Sequence, residues 1–154
     1  DVCSSDLLRH DPAYADKAER ISALTRDLAE LLPSLVPALQ AKVDATRAPA
    51  LVFHPPCSLQ HGQQVRGAVE TQLEKLGLKV RIAATESHLC CGSAGTYSVL
   101  QPELATRLRD RKLGALAAGP GEVVISANIG CITHLQSGTA APVRRGVVAL
   151  AAAL

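Results

Sequence analysis

The most constraining feature of this sequence is a pair of adjacent cysteines, Cys90 and Cys91, followed by the small residues from Gly92 to Gly95. Two thiols on neighbouring residues seldom form a disulfide without strain, because their Cβ vectors diverge. Both thiols can face one polynuclear metal centre, and the small residues let backbone N–H groups approach the sulfurs of such a centre. Taken alone, the pair is equally compatible with two buried structural thiols.

The composition narrows the class of protein. The 154 residues suffice for one domain with a core, and the formal net charge of +2 shows no basic stripe, which argues against nucleic acid as a main partner. The apolar runs are too short to span a membrane. Five cysteines without a secretory signal pattern favour metal or redox chemistry over a disulfide framework. We therefore expect the protein to be in the cytoplasm, either free or associated peripherally with the inner membrane.

The first residues differ in character from the rest. Residues 1–7, which include Cys3, read as a non-native segment, like a translated sequencing-adapter end fused to a truncated reading frame. We expect a helical N-terminal segment over residues 8–48 and a cysteine-rich domain over residues 49–154. The chain is then expected to begin partway through a larger protein.

The hydrophobic periodicity predicts strands that alternate with helices. A first helix is expected to begin at Asp11-Pro12 and to end or kink at Pro33. The order that follows predicts an α/β fold with three layers, in which helices flank a parallel sheet built from Rossmann-like βαβ units. The later strands are expected over 50–53, 78–84 (Val80 and Ile82 inward) and 123–125. Helices are expected over 65–76, from Gln101-Pro102 to an end at Gly119, and over 132–138, and residues 147–150 are expected as a strand or a helical turn.

Four cysteines follow the predicted strands directly. Cys57 comes after the first strand, Cys90 and Cys91 after the second, and Cys131 after the third. Right-handed crossovers bring the loops that leave parallel strands to one edge of the sheet, where open α/β sheets bind ligands. The sequence therefore predicts that the four thiols converge on one crevice at the carboxyl edge.

The chemistry of such a crevice has several candidates. Thiolates are the usual ligands of iron–sulfur clusters. A structural zinc site more often uses two short knuckles, and here only Cys131 and His134 have that local spacing. A dithiol redox module lacks the usual CxxC at a helix start. A nucleotide site is the weakest candidate, because Pro55 and Pro56 stand where a glycine-rich turn would follow the first strand.

Three motifs resemble a known family, the cysteine-rich "CCG" domain of heterodisulfide reductase subunits, lactate-utilisation proteins and glycolate oxidase (glycolate dehydrogenase) iron–sulfur subunits. The likeness is greatest to the last group and covers about residues 8–145. The motifs are HPPCSLQHGQ over 54–63, SHLCCGSAGTY over 87–97 and ANIGCITHL over 127–135.

The resemblance implies an iron–sulfur cluster of the 4Fe–4S type. His134 stands where the family typically has the second cysteine of a CxxC, so it is expected either to ligate the metal or to donate a hydrogen bond near it. The expected ligands are Cys57, Cys90, Cys91, Cys131 and His134, and the residues expected around them are His54, His61, His88 and Gly92.

The resemblance also implies a larger assembly. Two ferredoxin-type motifs and a first CCG repeat would lie upstream in the same subunit, and a partner subunit that carries FAD would oxidise glycolate to glyoxylate. This part would relay electrons toward a quinone or another acceptor and is not expected to be catalytic alone. The alternative is a zinc-stabilised or metal-free domain that docks the flavoprotein subunit.

Overall fold

The computed structural model describes residues 7–154. Residues 1–6 of the predicted non-native segment 1–7, which include Cys3, lie outside this described part. A four-stranded parallel sheet with the order β2-β1-β3-β4 forms the centre of the protein. The predicted α/β class with a parallel sheet is confirmed. The strands are β1 (Ala50–His54), β2 (Val80–Ile82), β3 (Glu122–Ser126) and β4 (Val143–Arg145).

Helices cover both faces of this sheet. Two short turns accompany them, a 3-10 turn at Ala45–Arg47 and a π-helical turn at Ser58–Gly62. The helices are α1 (Ala15–Leu24), α2 (Leu28–Gln40), α3 (Ala68–Lys75), α4 (Tyr97–Leu100), α5 (Pro102–Leu116), α6 (Ile129–Gln136) and α7 (Gly146–Ala151). Among residues 7–154, no helix is long and apolar enough to cross a bilayer.

Two hydrophobic cores lie on opposite faces of the sheet. Successive side chains of a strand point to opposite faces, so Leu51 and Phe53 enter one core while Val52 enters the other. The first core is closed by α2, α3 and α7, and the second by α5 and α6. The second core also contains Cys91 and Cys131, so the thiols belong to the packed interior on that side.

The sheet order places the cysteine loops. The central strand β1 pairs with β2 on one side and with β3 on the other. Successive connections therefore leave β1 and β3 toward opposite faces, which creates a crevice at their carboxyl ends. The loop after β1 carries Cys57, and the loop after β3 leads into α6 and Cys131.

The N-terminal region corrects one prediction. The expected single helix is two helices, because α1 ends at Leu24 and a capping box of Asp27 and Glu30 starts α2. Pro33 does not end this second helix, and Pro37 lies within it too. Both prolines are on the exposed side, where water can solvate the carbonyls left unbonded.

The second N-terminal helix, α2, shares the core of the sheet. Leu32 and Val36 of α2 are buried in the same cluster as Leu51 of β1. Further along, the Asp44 amide donates a 2.8 Å hydrogen bond to the carbonyl of Ala153 near the C-terminus. Packing against β1 thus joins α2 to the core of the sheet.

Three further details differ from the sequence prediction. Ile82 is 41 % exposed rather than inward, since β2 is an edge strand. The fourth strand lies at Val143–Arg145, ahead of the expected place, and the apolar tail forms α7. Helix α6 begins at Ile129, three residues earlier than predicted, which brings Cys131 into its first turn.

Candidate metal centre

Cys57 follows β1 after two prolines. It has helical dihedral angles and starts the π-helical turn that carries the chain away from the sheet. The buried side chain of Gln60 in this turn donates a 2.7 Å hydrogen bond to the carbonyl of Pro55 and a 3.5 Å bond to the carbonyl of Ser87. The side chain of Gln60 therefore ties the Cys57 turn to the loop that carries the paired cysteines.

The cysteine loop, residues 83–96 between β2 and α4, presents Cys90 and Cys91. Cys91 is buried and Cys90 is partly buried. The Gly92 amide donates a 3.3 Å hydrogen bond to the Cys90 sulfur. Gly92 has a φ of +90°, and a Cβ there would overlap the carbonyl oxygen of Ala105 on α5. Only glycine fits where the loop packs this closely against the helix.

Cys131 lies in the first turn of α6. Asn128 caps this helix, and its side-chain oxygen accepts a 3.2 Å hydrogen bond from the Cys131 amide. The Cys131 thiol is buried near the positive end of the helix, where a thiolate is favoured. Asn128 thus positions Cys131 by capping the helix that carries it.

The four thiols lie in series, with Cys57 beside Cys90, Cys90 beside Cys91 and Cys91 beside Cys131, and neighbouring thiols shift one another's pKa. All four are free cysteines. Three loops that are far apart in sequence therefore bring their sulfurs together at the carboxyl edge of the sheet.

The thiol pKa values follow from this series. The hydrogen bond to Cys131 is the main cause that raises the pKa of Cys91 to about 11, and the same bond lowers the pKa of Cys131. A hydrogen bond to Cys91 and burial raise the pKa of Cys90, whereas burial and the neighbouring Cys90 raise that of Cys57. Metal binding at this centre would accordingly release protons, because thiolates are the ligands.

His54, expected only near the site, lies at its centre. It is the last residue of β1 and is 0 % exposed. One of its ring nitrogens and the sulfurs of Cys91 and Cys131 all lie within 4.8 Å of one another. Burial, and then the charge of Lys112, lower the pKa of His54 to about 3, so its ring is neutral near pH 7.

Lys112 is a component of the site that the sequence analysis missed. It is 0 % exposed on α5, and its Nζ donates hydrogen bonds of 2.9 and 2.8 Å to the carbonyls of Glu86 and Ser87 in the cysteine loop. Its charge acts on three of the thiols. One sequence signal was available, because Lys112 shares a helix face with the buried Ala105 and Leu116.

His134 has a different environment from His54. Its Nε2 lies 3.1 Å from the carbonyl oxygen of Ala105, and it lines an open groove of about 400 Å³ beside Ser93 and Thr133. It is also close to Gly92 of the cysteine loop. It is not one of the three residues whose donor atoms lie within 4.8 Å of one another, and its role as a ligand stays a prediction.

The other expected neighbours lie at the rim. His61 and His88 are exposed, and the carbonyl of His61 accepts a hydrogen bond from Gln64. Glu86 forms an ion pair with Arg111 of α5 that fastens the start of the cysteine loop from outside. The side chains of His61 and His88 are thus solvent-exposed, unlike the buried donors of His54, Cys91 and Cys131.

Comparisons with known proteins agree with this geometry. Residues 51–136 match the model of the cysteine-rich CCG domain family. The chain is 45% identical to the glycolate oxidase iron-sulfur subunit of Escherichia coli K12, over 92% of this chain and 34% of that protein. It is 26% identical to lactate utilization protein A of Bacillus licheniformis, over 84% of this chain and 53% of that protein.

The coverage defines how far these similarities extend. A probable glycolate oxidase iron-sulfur subunit of Bacillus subtilis is 28% identical over 86% of this chain and 30% of its own length. The chain thus spans from 30% to 53% of the length of these three relatives. The matched residues include all four clustered cysteines, and the sequence-based resemblance is confirmed: the chain belongs to the cysteine-rich CCG domain family.

Proposed function

We propose that this chain is the C-terminal part of the iron–sulfur subunit of an oxidoreductase and that its four clustered cysteines hold an iron–sulfur cluster. The observation that carries the proposal is the series of neighbouring thiols Cys57, Cys90, Cys91 and Cys131 at one edge of the sheet, close enough to shift one another's pKa. The similarity to a glycolate oxidase iron-sulfur subunit supports the same assignment.

The donors present fit such a cluster. Thiolates bind iron–sulfur clusters, and four thiols from three loops are neighbours in series at one edge of the sheet. The Gly92 amide already donates to a sulfur, which is how proteins commonly compensate negative charge on a cluster. Beside these thiols, the site contains a buried imidazole, His54, whose two ring nitrogens have no hydrogen-bond partner within residues 7–154.

Each part of the site has a distinct task in this proposal. The cluster would accept and release single electrons, with the thiolates as its ligands. Lys112 fixes the cysteine loop through two carbonyls and adds a buried positive charge that offsets negative charge on the thiolates. Gln60 connects the two loops through its 3.5 Å hydrogen bond to the Ser87 carbonyl.

The wider reaction is proposed from the relatives. A flavin-bearing partner subunit would oxidise glycolate, and an upstream ferredoxin-like portion of the same subunit would lie between that flavin and the acceptor, a quinone or another carrier. We place this assembly in the cytoplasm or on the inner face of the cell membrane. The chain described here would relay electrons and would leave the chemistry on the 2-hydroxy acid to its partner.

The test is the iron and acid-labile sulfide content of the 154-residue chain after anaerobic reconstitution. The proposal predicts both elements together, with an absorbance that bleaches on reduction. Cys91→Ser should lose most of the iron, whereas Cys3→Ser, the matched thiol control, should keep it. A colourless, iron-free wild-type chain would refute the assignment.

A second candidate is supported by one specific observation. Three donors of His54, Cys91 and Cys131 lie within 4.8 Å of one another, which also suits a single zinc ion in a docking domain. Stoichiometric zinc without iron or sulfide, in protein purified under anaerobic conditions, would favour this candidate over the electron-transfer subunit.

A further inference from the structure

We propose that His54 supplies a nitrogen ligand to the metal bound by Cys91 and Cys131. The identity of that metal as iron rests on the proposed function. The assignment of His54 as a ligand follows from the position of its imidazole and is tested separately from the identity of the metal.

The first argument is the burial of an imidazole without partners. His54 is fully buried, and within the described residues 7–154 both of its ring nitrogens lack a hydrogen bond. A buried polar group without a partner destabilises a fold. A leucine or valine in this position would avoid that destabilisation, so the imidazole is best explained by a partner that binds there.

The second argument is distance. Bonds of about 2.0–2.3 Å from a tetrahedral metal to nitrogen and sulfur place neighbouring donor atoms roughly 3.6 Å apart. The His54 nitrogen and the sulfurs of Cys91 and Cys131 lie within 4.8 Å of one another. Small side-chain rotations can therefore bring all three donors to one metal ion.

The third argument is the rigidity of the position. His54 ends the central strand β1 and is paired in register with Ser126 of β3. The alternation of the strand places it on the same face as Val52, in the layer that contains both cysteines. The Ser126 hydroxyl is also buried and, within the described chain, unpartnered. Two polar groups at the ends of the two central strands thus share the layer of the thiols.

The fourth argument compares the two histidines. The ring nitrogen of His134 already contacts the Ala105 carbonyl, and His134 lines the open groove. His54 has neither a bond nor exposure. Of these two, His54 is the imidazole that is fully buried with both ring nitrogens unpartnered within the described residues.

A histidine ligand would have a measurable consequence. A neutral imidazole ligand adds no negative charge to the centre, and histidine ligation raises the reduction potential of iron–sulfur centres. Lys112, buried on the same side, adds a positive charge in the same direction. Both residues favour the reduced form of the centre.

The test uses the 154-residue chain with selectively ¹⁵N-labelled histidine, reconstituted with iron and sulfide and then reduced. Pulsed electron paramagnetic resonance should detect one strongly coupled histidine nitrogen. That coupling should persist in His134→Gln and disappear in His54→Leu. A cluster that forms without histidine coupling, or a coupling that is lost in His134→Gln, would overturn the proposal.

Two further measurements make the result independent of cluster assembly. His54→Leu should leave the metal-free chain at least as stable as the wild type in urea, because it removes unpaired buried nitrogens. If the wild-type chain binds no iron and sulfide, the proposed function fails, and Zn²⁺ alone becomes the probe. Zinc affinity should then fall at least about tenfold in His54→Leu and less than about twofold in His134→Gln. Equal affinities for His54→Leu and the wild type would overturn the ligand assignment.

Discussion

Gly92→Ala tests whether the cysteine loop depends on close packing against α5. A Cβ at this position would overlap the Ala105 carbonyl oxygen and lie 3.1 Å from both the Ala105 carbonyl carbon and the His134 Nε2. The obstacle is helix backbone, so it cannot rotate away. The φ of +90° adds strain of about 1–2 kcal/mol for an L-residue, and overpacking adds about 1–3 kcal/mol.

Gly95→Ala is the matched control in the same loop. Its φ is +61°, but a Cβ there meets nothing within 4 Å, so only the backbone strain remains. The free energy of unfolding in urea, measured on the metal-free chain, should therefore fall by about 2–5 kcal/mol for Gly92→Ala and by about 1–2 kcal/mol for Gly95→Ala. An equal decrease in the free energy of unfolding for the two variants would refute the reasoning, because the overlap with Ala105 would then contribute nothing to the destabilisation.

Three further perturbations probe the supports of the site. Lys112→Met should destabilise the chain by about 1–3 kcal/mol in urea, because two loop carbonyls lose their hydrogen-bond donor. It should also lower the reduction potential of the loaded centre, because a buried positive charge is removed. An unchanged potential would contradict this role of the Lys112 charge. Asn128→Ala should cost about 1 kcal/mol and lower the melting temperature by roughly 2–4 °C through loss of the α6 cap; an unchanged melting temperature would contradict that role. The hydrogen bond from Arg81 lowers the pKa of Glu122 to about 2, so this carboxylate stabilises the fold above pH 4.5 and loses that contribution as the pH falls toward 2. Glu122→Gln should therefore flatten the acid side of the stability profile by about 1 kcal/mol or less, as expected for a partly exposed pair; an identical profile would contradict the assignment.

The central strands were the most predictable part of the fold. The residues of β1 and β3 are buried on both faces, which produces continuous apolar runs such as Leu51 to Phe53. The edge strand β4 was missed because only Val143 of its three residues is buried. A short edge strand has no apolar pattern to recognise, since water solvates most of its side chains.

The start of α2 could have been read from the sequence. Asp27 and Glu30 have the spacing of a capping box, but Pro33 suggested a helix end in this region. Tertiary packing decides the outcome: the buried side of α2 contacts the core, while the prolines face solvent. Local propensity alone does not contain that information.

The cysteine arrangement was predictable, and the roles of the residues around it were less so. Each cysteine follows a strand, and parallel strands end at one edge, so topology alone brings the thiols together. The depth of His54 depends on strand alternation and on the packing of α5 and α6, neither of which a motif reveals. Lys112 was missed because a charged residue on a helix is normally solvated.

The most direct test of the central claim is an anomalous difference map, collected at the iron edge, from crystals of the anaerobically reconstituted chain. The account predicts a single iron-containing density bonded by the sulfurs of Cys57, Cys90, Cys91 and Cys131 at the carboxyl ends of β1 and β3. Iron peaks at separate places, or a centre bonded by only the Cys90–Cys91 pair, would contradict the convergence of the three loops.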